Sequence, residues 1–158
     1  MSFTIRKGEE KDMQSVFNLI TELAVFEKSG DKVSNTIEEM LEDGFGQNPI
    51  FEFYVAEFEG KVIGMSLYYM RYSTWRGRYL YLEDLIVTAS HRGKGVGKKL
   101  LDCTVAEAKK RDASLMMWQV LDWNEPAIGF YKKIGAELDE EWINCTLSKE
   151  DLENWKNG

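Results

Sequence analysis

The chain has 158 residues, 44% of them hydrophobic, which suffices for one compact domain with a real core and falls short of two. A formal net charge of −7 would repel a phosphate backbone, which sets nucleic acid aside as a partner and suits a cationic one instead. No apolar run reaches the roughly 18 residues of a membrane span, and the start MSFTIRKGEE has no apolar signal core, so a soluble, cytoplasmic protein is expected.

Phe3 to Arg6 reads as a short edge strand, and from Asp12 onward Met13, Val16, Phe17, Ile20 and Ala24 recur at helical spacing, predicting a first helix to about Glu27. Gly30 interrupts. Ser34 then offers an N-cap to a second helix through Ile37, Met40 and Leu41, ended by Gly44 and Gly46, with Glu38, Glu39 and Glu42 as its solvated side. Phe51 to Phe58 and Lys61 to Tyr72 are two strands joined by a tight turn at Glu59-Gly60, with Ile63, Met65, Leu67 and Tyr69 on one face. The stretch from Ser73 to Arg78 turns around Gly77 into a strand from Tyr79 to Val87.

After a polar turn from Thr88 to Arg92, a helix from Val96 to Arg111 carries Leu100, Leu101, Cys103, Val105 and Ala108 inward. Leu115 to Leu121 is a continuous apolar run, the pattern of a central strand buried on both faces. Asn124 to Ile134 reads as a helix with Pro126 in its first turn and Gly135 just past its end, and Ala127, Phe130, Tyr131 and Ile134 fall on one side of it. Further strand is expected within Glu137 to Leu147, and Ser148 can cap a terminal turn reaching Trp155. Cys103 and Cys145 are read as buried thiols of a reducing compartment, and His91 as a turn residue. One histidine and two isolated cysteines assemble no zinc set, so no metal is expected.

The stretch with the most chemistry is YLEDLIVTASHRGKGVGKKLL, Tyr81 to Leu101, which runs strand, glycine loop, helix. Gly93, Gly95 and Gly97 remove three β-carbons just before a helix, so backbone N–H groups can approach an anion closely. Arg92, Lys94, Lys98 and Lys99 make a basic island there in an otherwise acidic chain. A Walker loop is ruled out because Gly93 and Gly97 are too close and Lys98 is followed by Lys99; the dinucleotide fingerprint fails because Lys98 occupies the place of its last glycine.

The motif that fits is Arg-x-x-Gly-x-Gly, from Arg92 to Gly97, after a strand carrying acids. It resembles the GCN5-related N-acetyltransferase (GNAT) family. LEDGFG at Leu41 to Gly46, YLEDL at Tyr81 to Leu85 and LDWNEPAIGFYKKIGA at Leu121 to Ala136 resemble the diamine and thialysine N-acetyltransferase group, which is spermidine/spermine acetyltransferase-like, over nearly the whole chain. The resemblance implies a single N-acetyltransferase domain over residues 1–158, of α/β (α+β) class, with a mixed sheet of six to seven strands flanked by about four helices. It also implies a homodimer that exchanges C-terminal strands, with Glu140, Glu141 and Trp142 on the substrate side.

The same resemblance implies the site. Acetyl-coenzyme A would be the co-substrate, its pyrophosphate held by Arg92, Gly93, Lys94, Gly95, Val96, Gly97 and Lys98. Backbone N–H groups of Leu85, Ile86 and Val87, at a bulged and splayed strand end, would polarise the carbonyl. Asn124 would contact the pantetheine arm, Ala127 would also bind the cofactor, and Tyr131 would protonate the leaving sulfur. Glu27, Ser73, Glu83 and Trp118 are the residues expected on the small-amine side. Glu83 and Asp84 are adjacent on one strand, so their side chains are predicted to face opposite ways, and Glu83 is the one chosen to start deprotonation of the amine. Ser73, a neutral hydroxyl where polyamine-preferring members carry an acid, points to thialysine, lysine or a short diamine. The competing functions are a polyamine acetyltransferase and a non-catalytic acyl-coenzyme A sensor.

Overall fold

Glu59 and Gly60 both adopt positive φ, 50° and 74°, the left-handed pair whose twist suits a two-residue hairpin. That turn joins β2 (Glu52–Phe58) to β3 (Lys61–Ser73) in the computed structural model, which describes residues 1–157. β1 (Thr4–Lys7), β4 (Gly77–Val87) and β5 (Met116–Met117) complete a five-stranded sheet in the order β1-β2-β3-β4-β5. The first four strands are antiparallel and β5 runs parallel to β4, so the sheet is mixed.

Helices cover both faces. Met13, Val16 and Leu19 of α1 (Met13–Phe26) and Met40 of α2 (Ile37–Phe45) bury Phe53, Val55, Met65, Leu67 and Ile86 on one side. On the other, Val96 and Leu100 of α3 (Val96–Lys110) pack on Ala56 and Ile63, while Ala108 lies against Tyr68 and Leu80. A buried hydrogen bond from Thr104 Oγ1 to Ser66 Oγ, 2.9 Å, satisfies both hydroxyls in that layer. The Arg6 guanidinium pins β1 to the start of α1 with a two-toothed contact to Asp12, 2.7 and 2.8 Å, and reaches Glu57 on β2 at 2.8 Å.

Several sequence expectations change. Ile63 leaves the face of Met65 and Leu67 because the β2–β3 register slips between Ala56 and Glu57. Thr36, not Ser34, caps α2: its hydroxyl accepts from Glu39 N while the Glu39 carboxylate accepts from Thr36 N, a reciprocal box Ser34 is too far upstream to make. Gly44 lies inside that helix and Gly46 ends it. Val105 is exposed, 41%, rather than inward.

Contacts divide the chain into two compact units, Met1–Gln119 and Val120–Gly158. The first holds the sheet and α1 to α3. The second holds α4 (Glu125–Lys133) and α5 (Lys149–Glu153). Five strands form among the described residues rather than six or seven. Only Met116–Met117 of the Leu115–Leu121 run enters a ladder, at an edge and incompletely buried, so hydrophobicity there does not mark a central strand. Residues 137–147 form no ladder, and Trp142 and Ile143 are 74% and 86% exposed. Cys145, expected buried, lies in that exposed segment, while Cys103 is half-buried. No described helix is long and apolar enough to cross a membrane.

Candidate active site

The glycine loop is built as an open row of donors. Gly93 and Gly95 have φ of 74° and 83°, a region that costs any other residue strain, and Gly95 forms the N-cap of α3 without a side-chain cap. No acceptor among the described residues takes the N–H groups of Gly93, Lys94, Gly95, Val96, Gly97 or Lys98. They stand at the positive end of a 15-residue helix, the arrangement that binds phosphate. The chemistry of this donor set fits a pyrophosphate. The basic island is more committed than its sequence suggests. Arg92 Nε donates to Val87 O at 2.9 Å and its guanidinium stacks on Phe26, Lys94 Nζ donates to Ser90 O at 3.1 Å, and Lys98 pairs with Asp102.

The loop's entry is fixed by a residue that sequence reasoning missed. Glu22 of α1 accepts from Thr88 Oγ1, 3.0 Å, and from Ala89 N, 2.9 Å, and lies 3.8 Å from Arg92. It is one of many glutamates, and only the packing of α1 beside the turn singles it out. His91 sits in that turn, as expected, against the Phe58 ring.

The β3–β4 register slips between Leu67 and Tyr68, so Asp84 pairs with Leu67, Leu82 pairs with Tyr68, and Glu83 is the extra residue of a bulge. This corrects two expectations. The bulge lies at Glu83 rather than at Leu85 to Val87, and alternation no longer separates the two acids. Leu67 and Tyr69 share a face of β3; Asp84 lies across from Leu67, and the Tyr69 hydroxyl donates to Glu83 Oε2 at 2.9 Å. Both carboxylates therefore address the face covered by α1.

Glu27, the C-cap of α1, joins them electrostatically. Burial, then the negative charges of Glu83 and Glu27, push the Asp84 carboxyl up to about 7. Burial also raises Glu27. Asp84, set aside on the alternation rule, is thus the acid whose proton is exchangeable near neutrality, and no local pattern in the sequence signals it. The ladder to β5 ends at Tyr81, and among the described residues Leu82 and Asp84 to Val87 have ladder partners on β3. The side chains of Leu85, Ile86 and Val87 belong to the core, which leaves their backbone as what they can offer a ligand.

Ser73 lies at the far end of β3, four residues or roughly 13 Å of strand from Tyr69. Its hydroxyl accepts from Trp75 N and Arg76 N at 3.2 and 3.1 Å, closing the β3–β4 turn. Trp118 is half-buried just beyond β5. In the second unit, Asn124 caps α4 by accepting from Ala127 N at 3.4 Å, and Tyr131 is half-buried on the same helix with its ring beside Phe130. Among the described residues no group of three or more His, Cys, Asp or Glu side chains is arranged to hold a metal ion.

Comparison with known proteins gives the family. A sequence model of the "Acetyltransferase (GNAT) family" matches residues 14–136. The chain is 40% identical over 162 positions to a mouse protein named thialysine N-epsilon-acetyltransferase, covering 96% of this chain and 95% of that one. It is 34% identical to a human spermidine/spermine N(1)-acetyltransferase-like protein 1 over 95% of this chain and 23% of the larger relative. A solved integron cassette protein from the mobile metagenome of V. cholerae shares the fold, with a TM-score of 0.78, 24% identity, and coverage of 97% of this chain and 96% of its own. The chain belongs to the GNAT family of acetyltransferases, enzymes that take their acetyl group from acetyl-coenzyme A.

Proposed function

We propose that the protein acetylates the primary amine of a small cationic substrate, a lysine-like amino acid or a short diamine, by direct attack on the thioester of acetyl-coenzyme A. The observation that carries this reading is the meeting of Glu83, Asp84 and the Glu27 cap on one face of the sheet, beside the stretch of β4 that continues past its ladder with β5. The thialysine named for the mouse relative is a primary amine of this class.

Alkyl ammonium groups titrate near 10.4, so the site must both hold the cation and take a proton from it before attack. Three clustered carboxylates do the first. For the second, Glu83, oriented by Tyr69, receives the proton directly or through water, and Asp84 shares it at neutral pH. The thioester supplies an activated acyl carbon. Backbone N–H groups of β4 around Leu85 to Val87 polarise its oxygen, and the loop from Arg92 to Lys98 holds the pyrophosphate. As the N–C bond forms and the C–S bond breaks, Tyr131 gives its phenolic proton to sulfur; Asn124 and Ala127 position the arm that carries it. The roles in the second unit rest on the family match, which runs across the boundary between the units and supports reading residues 1–158 as one catalytic domain. On the amine side we retain Glu27, Ser73 and Trp118 with Glu83.

We also propose a homodimer. In the segment 137–147 the apolar side chains of Trp142, Ile143 and Leu147 are exposed, a surface that suits a second copy of the chain. A monomer by light scattering at micromolar concentration overturns that.

The deciding experiment measures coenzyme A thiol release with thialysine, lysine, putrescine, spermidine and spermine. Turnover led by thialysine, lysine or putrescine supports the reading. Spermidine or spermine on top moves the substrate to the polyamines, and thermal stabilisation by acetyl-coenzyme A without thiol release from any amine makes the protein a sensor.

A further inference from the structure

On the face that carries Glu83, the next charged group along β3 is a cation. Arg71 pairs with Tyr79 in the ladder, two residues from Tyr69, but its guanidinium leans one row toward Glu83: the carbon lies 4.3 Å from the centre of the Tyr81 ring and 5.7 Å from that of Tyr79. Stacking on the Tyr81 ring, with a side-chain hydrogen bond donated to the Tyr81 hydroxyl, holds the fork in place. Arg6, Arg92 and Arg111 are each met by a carboxylate, whereas no carboxylate lies within ion-pairing distance of Arg71 among the described residues. Arg71 is exposed, so a ligand can reach it.

The face is therefore polar end to end, with Glu83, Asp84 and Glu27 at one end, the Tyr69 and Tyr81 rings in the middle, 5.6 Å apart, and a guanidinium at the other. Two strand residues, from the Tyr81 row to the Glu83 row, span about 7 Å. An extended lysine side chain separates its terminal nitrogen from its carboxylate carbon by six single bonds of about 1.5 Å, also about 7 Å along the zigzag.

We propose that Arg71 is the substrate-selecting residue of this acetyltransferase: it binds the α-carboxylate of a lysine-like amino acid whose terminal amine lies at the Glu83 end. The proposal rests on the amine site proposed above and narrows it. A diamine or polyamine of the same reach would bring a second ammonium against the guanidinium, so one charge attracts the amino acid and rejects its decarboxylated counterpart. Ser73, its hydroxyl engaged by the turn, offers a distal ammonium little in exchange.

The test compares kcat/KM for lysine and for thialysine, each against the diamine left when its carboxylate is removed, in the wild type, Arg71→Gln and Arg71→Lys. The wild type is expected to favour both amino acids. Arg71→Gln should lower kcat/KM for the amino acids by about tenfold or more, through KM, while the diamines hold or improve; Arg71→Lys should fall between, keeping charge without the fork. The diamine rates report whether each variant is folded. A wild type indifferent to the carboxylate, or an Arg71→Gln that slows amino acids and diamines alike, overturns the anchor and leaves amine acetylation standing. No turnover with any of the four overturns both.

Discussion

Tyr69 donates its hydroxyl to Glu83 across the one place where the β3–β4 register slips. Burial first, and then the Glu83 carboxylate, push the phenol up to about 12, so it remains a donor at any working pH. Tyr69→Phe should leave the fold intact, lower kcat/KM for the amine several-fold by loosening Glu83, and spare KM for acetyl-coenzyme A. Equal losses for both substrates would show that losing the hydroxyl disturbs the site as a whole rather than Glu83 alone.

Asp84 makes a prediction in two directions. As an acid raised from an ordinary value of 3.8 to about 7, it should place a limb in the pH profile of kcat/KM near neutrality, which Asp84→Asn removes together with much of the rate. The stability sign is opposite. A raised carboxyl favours the fold while protonated, below its unfolded pKa, and that advantage is lost as pH rises through about 7. Asp84→Asn should therefore raise Tm at pH 8 and change it little at pH 4. Thermal melts at the two values check this, and a lower Tm at pH 8 would mean Asp84 is paired rather than strained.

For Tyr131 the expected signature is kinetic alone. Tyr131→Phe should lower kcat by about 10² with little change in acetyl-coenzyme A affinity, the size of a general-acid contribution. Wild-type turnover in the variant would return Tyr131 to packing, as a half-buried tyrosine on an amphipathic helix most simply reads.

Gly95→Ala forces a β-carbon into a left-handed residue, φ 83°, with open space around it, so the cost is backbone strain of about 1–2 kcal/mol rather than a clash. KM for acetyl-coenzyme A should rise, because the strained loop turns its amides away, while KM for the amine stays. Isothermal titration with coenzyme A checks the first half; unchanged affinity would remove the loop from pyrophosphate binding.

What could be read without coordinates was what is decided within a few residues. Glu59-Gly60, the glycine loop and the helix with Pro126 in its first turn carry their geometry in their own residue types, and each is where spacing put it. The Glu83 bulge is different: one extra residue in a ladder is a property of β3 and β4 together, invisible to alternation along β4 alone, and it moved an acid from one face to the other. Asp84 and Glu22 were missed for that reason, since each takes its meaning from a neighbouring element. Leu115–Leu121 failed in the opposite way, with an apolar run long enough for a buried strand but only two residues in the ladder.

Helix α1 carries Glu22, which ties down the entry to the phosphate-binding loop, and ends one turn later in Glu27, which faces the amine cluster. A single helix thus touches both the proposed acetyl-coenzyme A site and the proposed amine site, so whatever steadies one end is expected to steady the other. If α1 couples the two sites, thermodynamic reciprocity makes the factor by which acetyl-coenzyme A tightens amine binding equal to the factor by which the amine tightens acetyl-coenzyme A. Glu22→Gln should break that bond between the two: acetyl-coenzyme A and amine, measured singly and together, should bind independently in the variant and cooperatively in the wild type.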